Sequence, residues 1–157
     1  MDRIESMSEL KVQFAAGWNH IPGWHNHDQE SADITKRLPY EDGTVDFILV
    51  EHGAEHCTCA EVQFFFEDCR RILKNGGALR VCVPSPFRVK DDAHARDLVV
   101  SHGHKMIFTP EILDFMLRIA GFGKRVFTGR ADCDSHWRAI GHAKDDLETI
   151  RVEGIKC

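Results

Sequence analysis

The stretch Leu38–Pro84 constrains this chain more than any other, because it reads as strand, polar corner, helix, tight turn and strand in one uninterrupted run. Val45–Val50 is a short, mostly apolar segment without regular alternation, the pattern of a strand buried on both faces. Glu51, His52, Glu55 and His56 crowd the corner that follows it. Glu61–Lys74 then places Val62, Phe65, Phe66, Cys69, Ile72 and Leu73 at three- and four-residue spacing, which makes one apolar stripe on a helix. Thr58 with Glu61 fits a capping box, and Gly76 reads as the left-handed residue that ends the helix. Leu79–Val83 is a second buried strand. Strand, crossover helix and strand make half of an open α/β sheet, whose strand ends face a ligand crevice.

Further elements extend that unit. Val12–Ala16 reads as a first strand, and Arg125–Thr128 and Thr149–Ile155 as two later ones. The last alternates, which suggests an antiparallel strand at an edge. Thr109-Pro110 is a cap residue followed by proline at the first helical position. The helix it opens is read as carrying Ile112, Phe115, Met116, Ile119 and Ala120 inward and stopping at Gly121. Phe87–Phe108, with His94, His102 and His104, reads as a long irregular loop, a kind of segment that commonly carries function. A chain of 157 residues holds one domain, spanning 1–157, with a substantial core.

Charge narrows the function. The 25 acidic and 20 basic side chains do not cluster by sign, which argues against nucleic acid or a membrane surface as partner. The opening MDRIESMSEL has acids and no apolar run, so it reads as neither export signal nor anchor. Cys69 on the helix stripe and Cys82 in a strand are placed as small hydrophobes, and all six cysteines are expected to be thiols in a reducing cytoplasm.

Four segments in linked order, KVQFAAGWNHIPGW, LPYEDGTVDFILVEHGAEH, CRRILKNGGALRVCVP and HKMIFTPEILDFMLRIAGF, resemble the class I S-adenosylmethionine-dependent methyltransferases. The likeness is to the small methyltransferase-domain type, with a degenerate first glycine loop, and runs from about Lys11 to Phe122. It implies a three-layer Rossmann-like fold with a mostly parallel sheet and S-adenosylmethionine as cofactor. By that resemblance the loop Ala15-Ala16-Gly17-Trp18-Asn19 lies against the cofactor, with Ala15, Gly17 and Asn19 touching it. Asp28 matches the acid that receives the ribose hydroxyls. Asp33, with Ile34 beside it, matches the acid near adenine, and Glu51 the corner near the cofactor's charged end. Only four residues separate Asp28 from Asp33, too few for a third strand and its connection. Trp18–Gly23 is likewise too short for a crossover helix. The sheet is therefore expected to be trimmed at one edge, and the edge so exposed suggests a homodimer.

Methyl transfer needs in-line approach of a nucleophile, with a base if that nucleophile carries a proton. His52 and His56 are the candidate bases, since imidazole titrates near neutrality. By resemblance His102 and His104 line the acceptor pocket. The acceptor is unidentified, with a small molecule favoured. Trp18 and Trp24 are candidates for stacking on adenine or for ordinary packing. Two rival readings stay open. One is a methyltransferase fold that binds a ligand or partner without catalysing. The other is a zinc hydrolase built on His52-Gly-Ala-Glu55-His56, an H-x-x-E-H motif; a structural zinc that adds Cys57 and Cys59 as ligands is a separate alternative at the same place. The motif contains glycine and directly follows a buried strand, so the expectation is that no metal is bound.

Overall fold

The computed structural model describes residues 8–85, 91–100, 102–127 and 149–157. Thr128, the last residue of the expected strand Arg125–Thr128, lies outside them, as does the sixth cysteine, Cys133. In chain order the elements are β1 (Lys11–Phe14), β2 (His25–Asn26), β3 (Val45–Glu51), a 3-10 turn (Ala54–His56), α1 (Cys59–Ile72), β4 (Leu73–Pro84), α2 (Asp92–Val100), α3 (Pro110–Ile119), β5 (Lys124–Phe127) and β6 (Thr149–Ile155). They build a six-stranded sheet in the order β2-β1-β3-β4-β6-β5. The ladders β2/β1, β1/β3 and β3/β4 are parallel, and β6 runs antiparallel to both β4 and β5. This is the mostly parallel, Rossmann-like α/β sheet expected. Among the described residues no strand lies between Asp28 and Val45, so the sheet is trimmed where the short Asp28–Asp33 spacing placed the loss.

The main core lies between the sheet and α1 and α3, with Phe14, Phe65, Phe66, Phe108, Leu113 and Phe122 at its centre. Helix α1 begins as its sequence dictates. The Thr58 hydroxyl accepts from the Glu61 backbone N–H, and the Thr58 N–H donates to Glu61 Oε2 at 2.7 Å, which closes the capping box. The opposite sheet face carries a smaller cluster of Ile21, Leu49, Ala78 and Cys82, with Trp24 packed against it. Ile21 and Trp24 come from the short β1–β2 connection, so this segment covers part of the sheet that a full crossover helix would otherwise cover.

Four sequence expectations need correction. Helix α1 stops at Ile72, where Leu73 takes extended backbone and the chain enters β4 directly. Gly76 does not cap it. Leu73 pairs with Val45, and a register shift between Val45 and Phe47 absorbs the residues that follow. A Cβ on Gly77 would stand 2.9 Å from the Asp46 carbonyl oxygen, so this glycine serves close approach of two strands. Helix α3 buries Leu113, Met116 and Leu117, while Ile112, Phe115 and Ile119 are exposed. Two apolar stripes share Met116 on this helix, and packing on α1, β5 and β6 selects the other one. The expected loop 87–108 contains helix α2, which buries no residue; Asp91 Oδ1 accepts from the His94 N–H at 2.8 Å at its start. Finally, β6 sits inside the sheet, not at an edge. Its alternation arises because Ile150 and Val152 enter the main core while Glu153, on the other face, pairs with Arg80 of β4.

Of the six cysteines, Cys57, Cys59, Cys69, Cys82 and Cys157 are described, and all five are free thiols. Among the described residues no helix is long and apolar enough to cross a membrane.

Candidate functional site

Parallel neighbours β1 and β3 end side by side, and the chain then leaves in opposite directions, β1 toward β2 and β3 toward β4. Such a switch point opens a crevice at the carboxyl ends of the strands. A cavity of about 320 Å³ lies there, within the size range of small-molecule sites.

Ala15 and Gly53 form its floor. Ala15 has φ 54°, a left-handed angle that costs an alanine about 1–2 kcal/mol. Gly53 has an ordinary φ of −128°, so conformation does not demand glycine there. Space does. A Cβ at position 53 would lie 2.5 Å from the Ala15 Cβ and 3.2 Å from Val50 Cγ2. The β1 loop and the β3 corner are thus pressed together with no room for a second methyl group.

One wall is the segment after β2, containing Asp28, Gln29, Ala32, Asp33, Ile34 and Thr35. Asp28 Oδ1 accepts from the backbone N–H of Ser31 at 3.0 Å and of Glu30 at 3.1 Å. These bonds, Ser31's first, hold its pKa below the ordinary carboxylate value. Asp33 Oδ1 accepts from Thr35 N–H at 2.9 Å and Thr35 Oγ1 at 2.7 Å, with the same downward effect. Both are ionised rim carboxylates, and each uses one oxygen to shape its own turn. Behind them His27 stacks on Phe14 at 5.6 Å and meets the Tyr40 hydroxyl through Nε2 at 2.7 Å. Burial lowers its pKa.

The other wall carries His52, His56, Cys57 and Lys105. His52 has φ 51° and donates its N–H to the Cys82 carbonyl at 2.9 Å, which turns the chain sharply after β3. Its Nδ1 stands 3.6 Å from Glu55 Oε1. Glu55 is buried, and its backbone carbonyl accepts from Lys105 N–H at 2.8 Å and Met106 N–H at 3.1 Å. Those two bonds bring His104 beside His56, with ring centroids 4.9 Å apart. Burial lowers the His104 pKa, partly offset by Glu55. Burial likewise pushes the Cys57 thiol up to about 11, so it is protonated near neutrality.

Of the residues expected from the sequence to hold the cofactor or act as bases, Ala15, Asp28, Asp33, Ile34, His52 and His56 line the cavity. Gly17, Trp18 and Asn19 are exposed and outside it. The tight turn swings them away from the crevice: Gly17 has φ 51° with open space around it, and the Asn19 N–H returns to the Ala16 carbonyl at 2.9 Å. Glu51 ends β3 half-buried and is not part of the lining. His102 is exposed and faces Asp97 at 3.4 Å, and His104 lies behind His56. Cys59 is exposed at the start of α1 and Cys57 is buried, and neither joins the histidine cluster. Sequence reasoning missed Gly53 and Lys105. Gly53 follows the polar corner and Lys105 sits inside the quoted HKMIF segment, but neither carries a local signal of its position.

Comparisons with known proteins agree with this geometry. Residues 7–81 match a family described as a methyltransferase domain. A SAM dependent methyltransferase from Archaeoglobus fulgidus superposes with a TM-score of 0.65 at 13% identity, covering 95% of this chain and 87% of that one. The chain has the class I methyltransferase fold. Two further structures match with low identity. A Haloferax volcanii protein solved with the Trm112 methyltransferase activator gives a TM-score of 0.62 at 14% identity, over 94% of this chain and 82% of that one. Haemonchus contortus phosphoethanolamine N-methyltransferase 2, solved with S-adenosyl-L-methionine, gives 0.59 at 10%, over 94% of this chain but only 49% of that one. The methyltransferase fold described here therefore spans about half the length of the nematode enzyme. No curated protein sequence matches the chain.

Proposed function

We propose that this chain binds S-adenosylmethionine in the β1/β3 crevice and transfers its methyl group to a small-molecule acceptor. The observation that carries the reading is the crevice itself, floored by Ala15 and Gly53, with Asp28 at the end of β2. The remaining oxygen of Asp28 receives the ribose hydroxyls, and Ile34 packs against adenine with Asp33 at the rim. Methyl transfer then needs an acceptor held in line with the sulfonium, and a base where the acceptor carries a proton. His52 and His56, on the wall opposite Asp28, are the proposed bases. His104 borders the acceptor side through its contact with His56. Homodimerisation through the trimmed edge gains little support, because β2 offers two ladder positions.

A second reading, a methyltransferase fold that binds without catalysing, is favoured by the left-handed Ala15. It also draws on the exposed apolar row Ile112, Phe115 and Ile119, given that the Haloferax protein was solved with a protein activator.

Thermal denaturation with S-adenosylhomocysteine tests the first reading, since a ligand bound only by the folded state raises Tm by mass action. The expected result is a concentration-dependent rise that Asp28→Asn reduces, because asparagine keeps the turn but loses the charged acceptor. Absence of any rise at millimolar ligand would leave the second reading.

A further inference from the structure

Glu55 is the least comfortable side chain in the described structure. It is 1% exposed, and its Oε2 is buried with no hydrogen-bond partner. A carboxylate removed from water in this way needs a cation or a set of donors. Two imidazoles stand next to it. Donor atoms of Glu55, His56 and His104 all lie within 4.8 Å of one another. The grouping does not come from a single flexible loop. Glu55 and His56 belong to the 3-10 turn after β3, His104 precedes α3, and the Lys105 and Met106 N–H groups fasten one segment to the other on the Glu55 carbonyl.

We propose that Glu55, His56 and His104 bind one first-row divalent cation, with zinc the best fit, at the wall of the crevice. Two imidazoles and one carboxylate are a donor set that zinc and its neighbours accept while keeping coordination positions open. Hard, water-loving magnesium or calcium would instead seek oxygen ligands. Bond lengths of about 2.0–2.1 Å in a tetrahedral site put the donors about 3.3 Å apart. The trio must therefore contract, and His56, which is exposed, can rotate to do so. His52 Nδ1, 3.6 Å from Glu55 Oε1, is placed to orient the carboxylate. With His56 engaged on the cation, proton transfer falls to His52. This last assignment rests on the methyl-transfer reading; metal binding does not.

The test uses the full chain, stripped with chelator and titrated with Co²⁺ or Zn²⁺ in the absence of S-adenosylmethionine and its product. One equivalent should bind, raise Tm, and with Co²⁺ give visible bands of a four- or five-coordinate ion. His104→Ala and the isosteric Glu55→Gln should each weaken binding at least tenfold. His20→Ala, on the exposed β1–β2 connection, should leave it unchanged. Should Glu55→Gln fail to fold, His104→Ala decides alone. The proposal is overturned by absence of saturable binding, by binding that survives His104→Ala, or by binding that Cys59→Ser abolishes equally. Because no cofactor is present, failure here leaves the S-adenosylhomocysteine experiment intact, and the reverse holds too.

Discussion

Gly53→Ala is a sharp perturbation because its clash partners are rigid. The new Cβ would meet the Ala15 Cβ at 2.5 Å and Val50 Cγ2 at 3.2 Å, and neither is the far end of a flexible side chain. Overpacking of this kind costs about 1–3 kcal/mol. At about 2–4 °C per kcal/mol for a chain of this size, Tm should fall by roughly 2–12 °C. The argument becomes specific in a double-mutant cycle. Ala15→Gly removes the nearer methyl and the left-handed strain of about 1–2 kcal/mol, offset by about 0.5–1 kcal/mol of backbone freedom. Alone it should leave stability within about 1 kcal/mol of the parent. In that background Gly53→Ala meets only the 3.2 Å contact with Val50, and most of its cost should vanish. Urea denaturation of the four proteins gives the coupling. Costs that agree within about 0.5 kcal/mol in the two backgrounds would refute the packed floor on which the crevice depends.

Other outcomes follow from single contacts. Thr58→Ala should remove about 1 kcal/mol by opening the α1 capping box, read as a Tm decrease. Asp68→Ala should cost about 1–3 kcal/mol in urea denaturation. The buried carboxylate accepts from the Leu38 N–H at 2.7 Å and from Arg71 at 2.6 Å; its loss leaves that N–H without its acceptor, while Arg71 keeps Asp42 at 2.7 Å. His27 has a pKa lowered by burial from the ordinary 6.5. The unfolded chain then binds this proton at a higher pH than the folded one, so stability is full above 6.5 and falls as pH drops toward the depressed folded value. Melting curves of His27→Gln should show a flatter slope over that window, and an unchanged slope would contradict the assignment.

What the sequence disclosed was local. The Thr58–Glu61 box, the α1 stripe and the buried β3 and β4 runs each carry their signal within a few residues. The short Asp28–Asp33 spacing disclosed the missing strand by arithmetic of chain length. Errors arose where distant segments decide. Gly76-Gly77 looks like a helix stop until β3 is laid beside it and the Asp46 carbonyl is found to need the space. The face of α3 is undecidable from a helix with two apolar stripes, since only packing against α1, β5 and β6 chooses Leu113 over Ile112. The site divides in the same way. Ala15, Asp28 and His52 were reachable from linked motif order. The fit of Gly53 to Ala15, and the meeting of His104 with Glu55, exist only after β1, the β3 corner and the α3 approach are brought together.

Chemical-shift mapping of the labelled chain with S-adenosylhomocysteine tests the crevice most directly. Saturable shifts should centre on Ala15, Asp28, Ile34, His52 and Gly53, with Gly17 and Asn19 little affected. Shifts centred elsewhere, or none at millimolar ligand, would contradict a nucleoside site between the ends of β1 and β3.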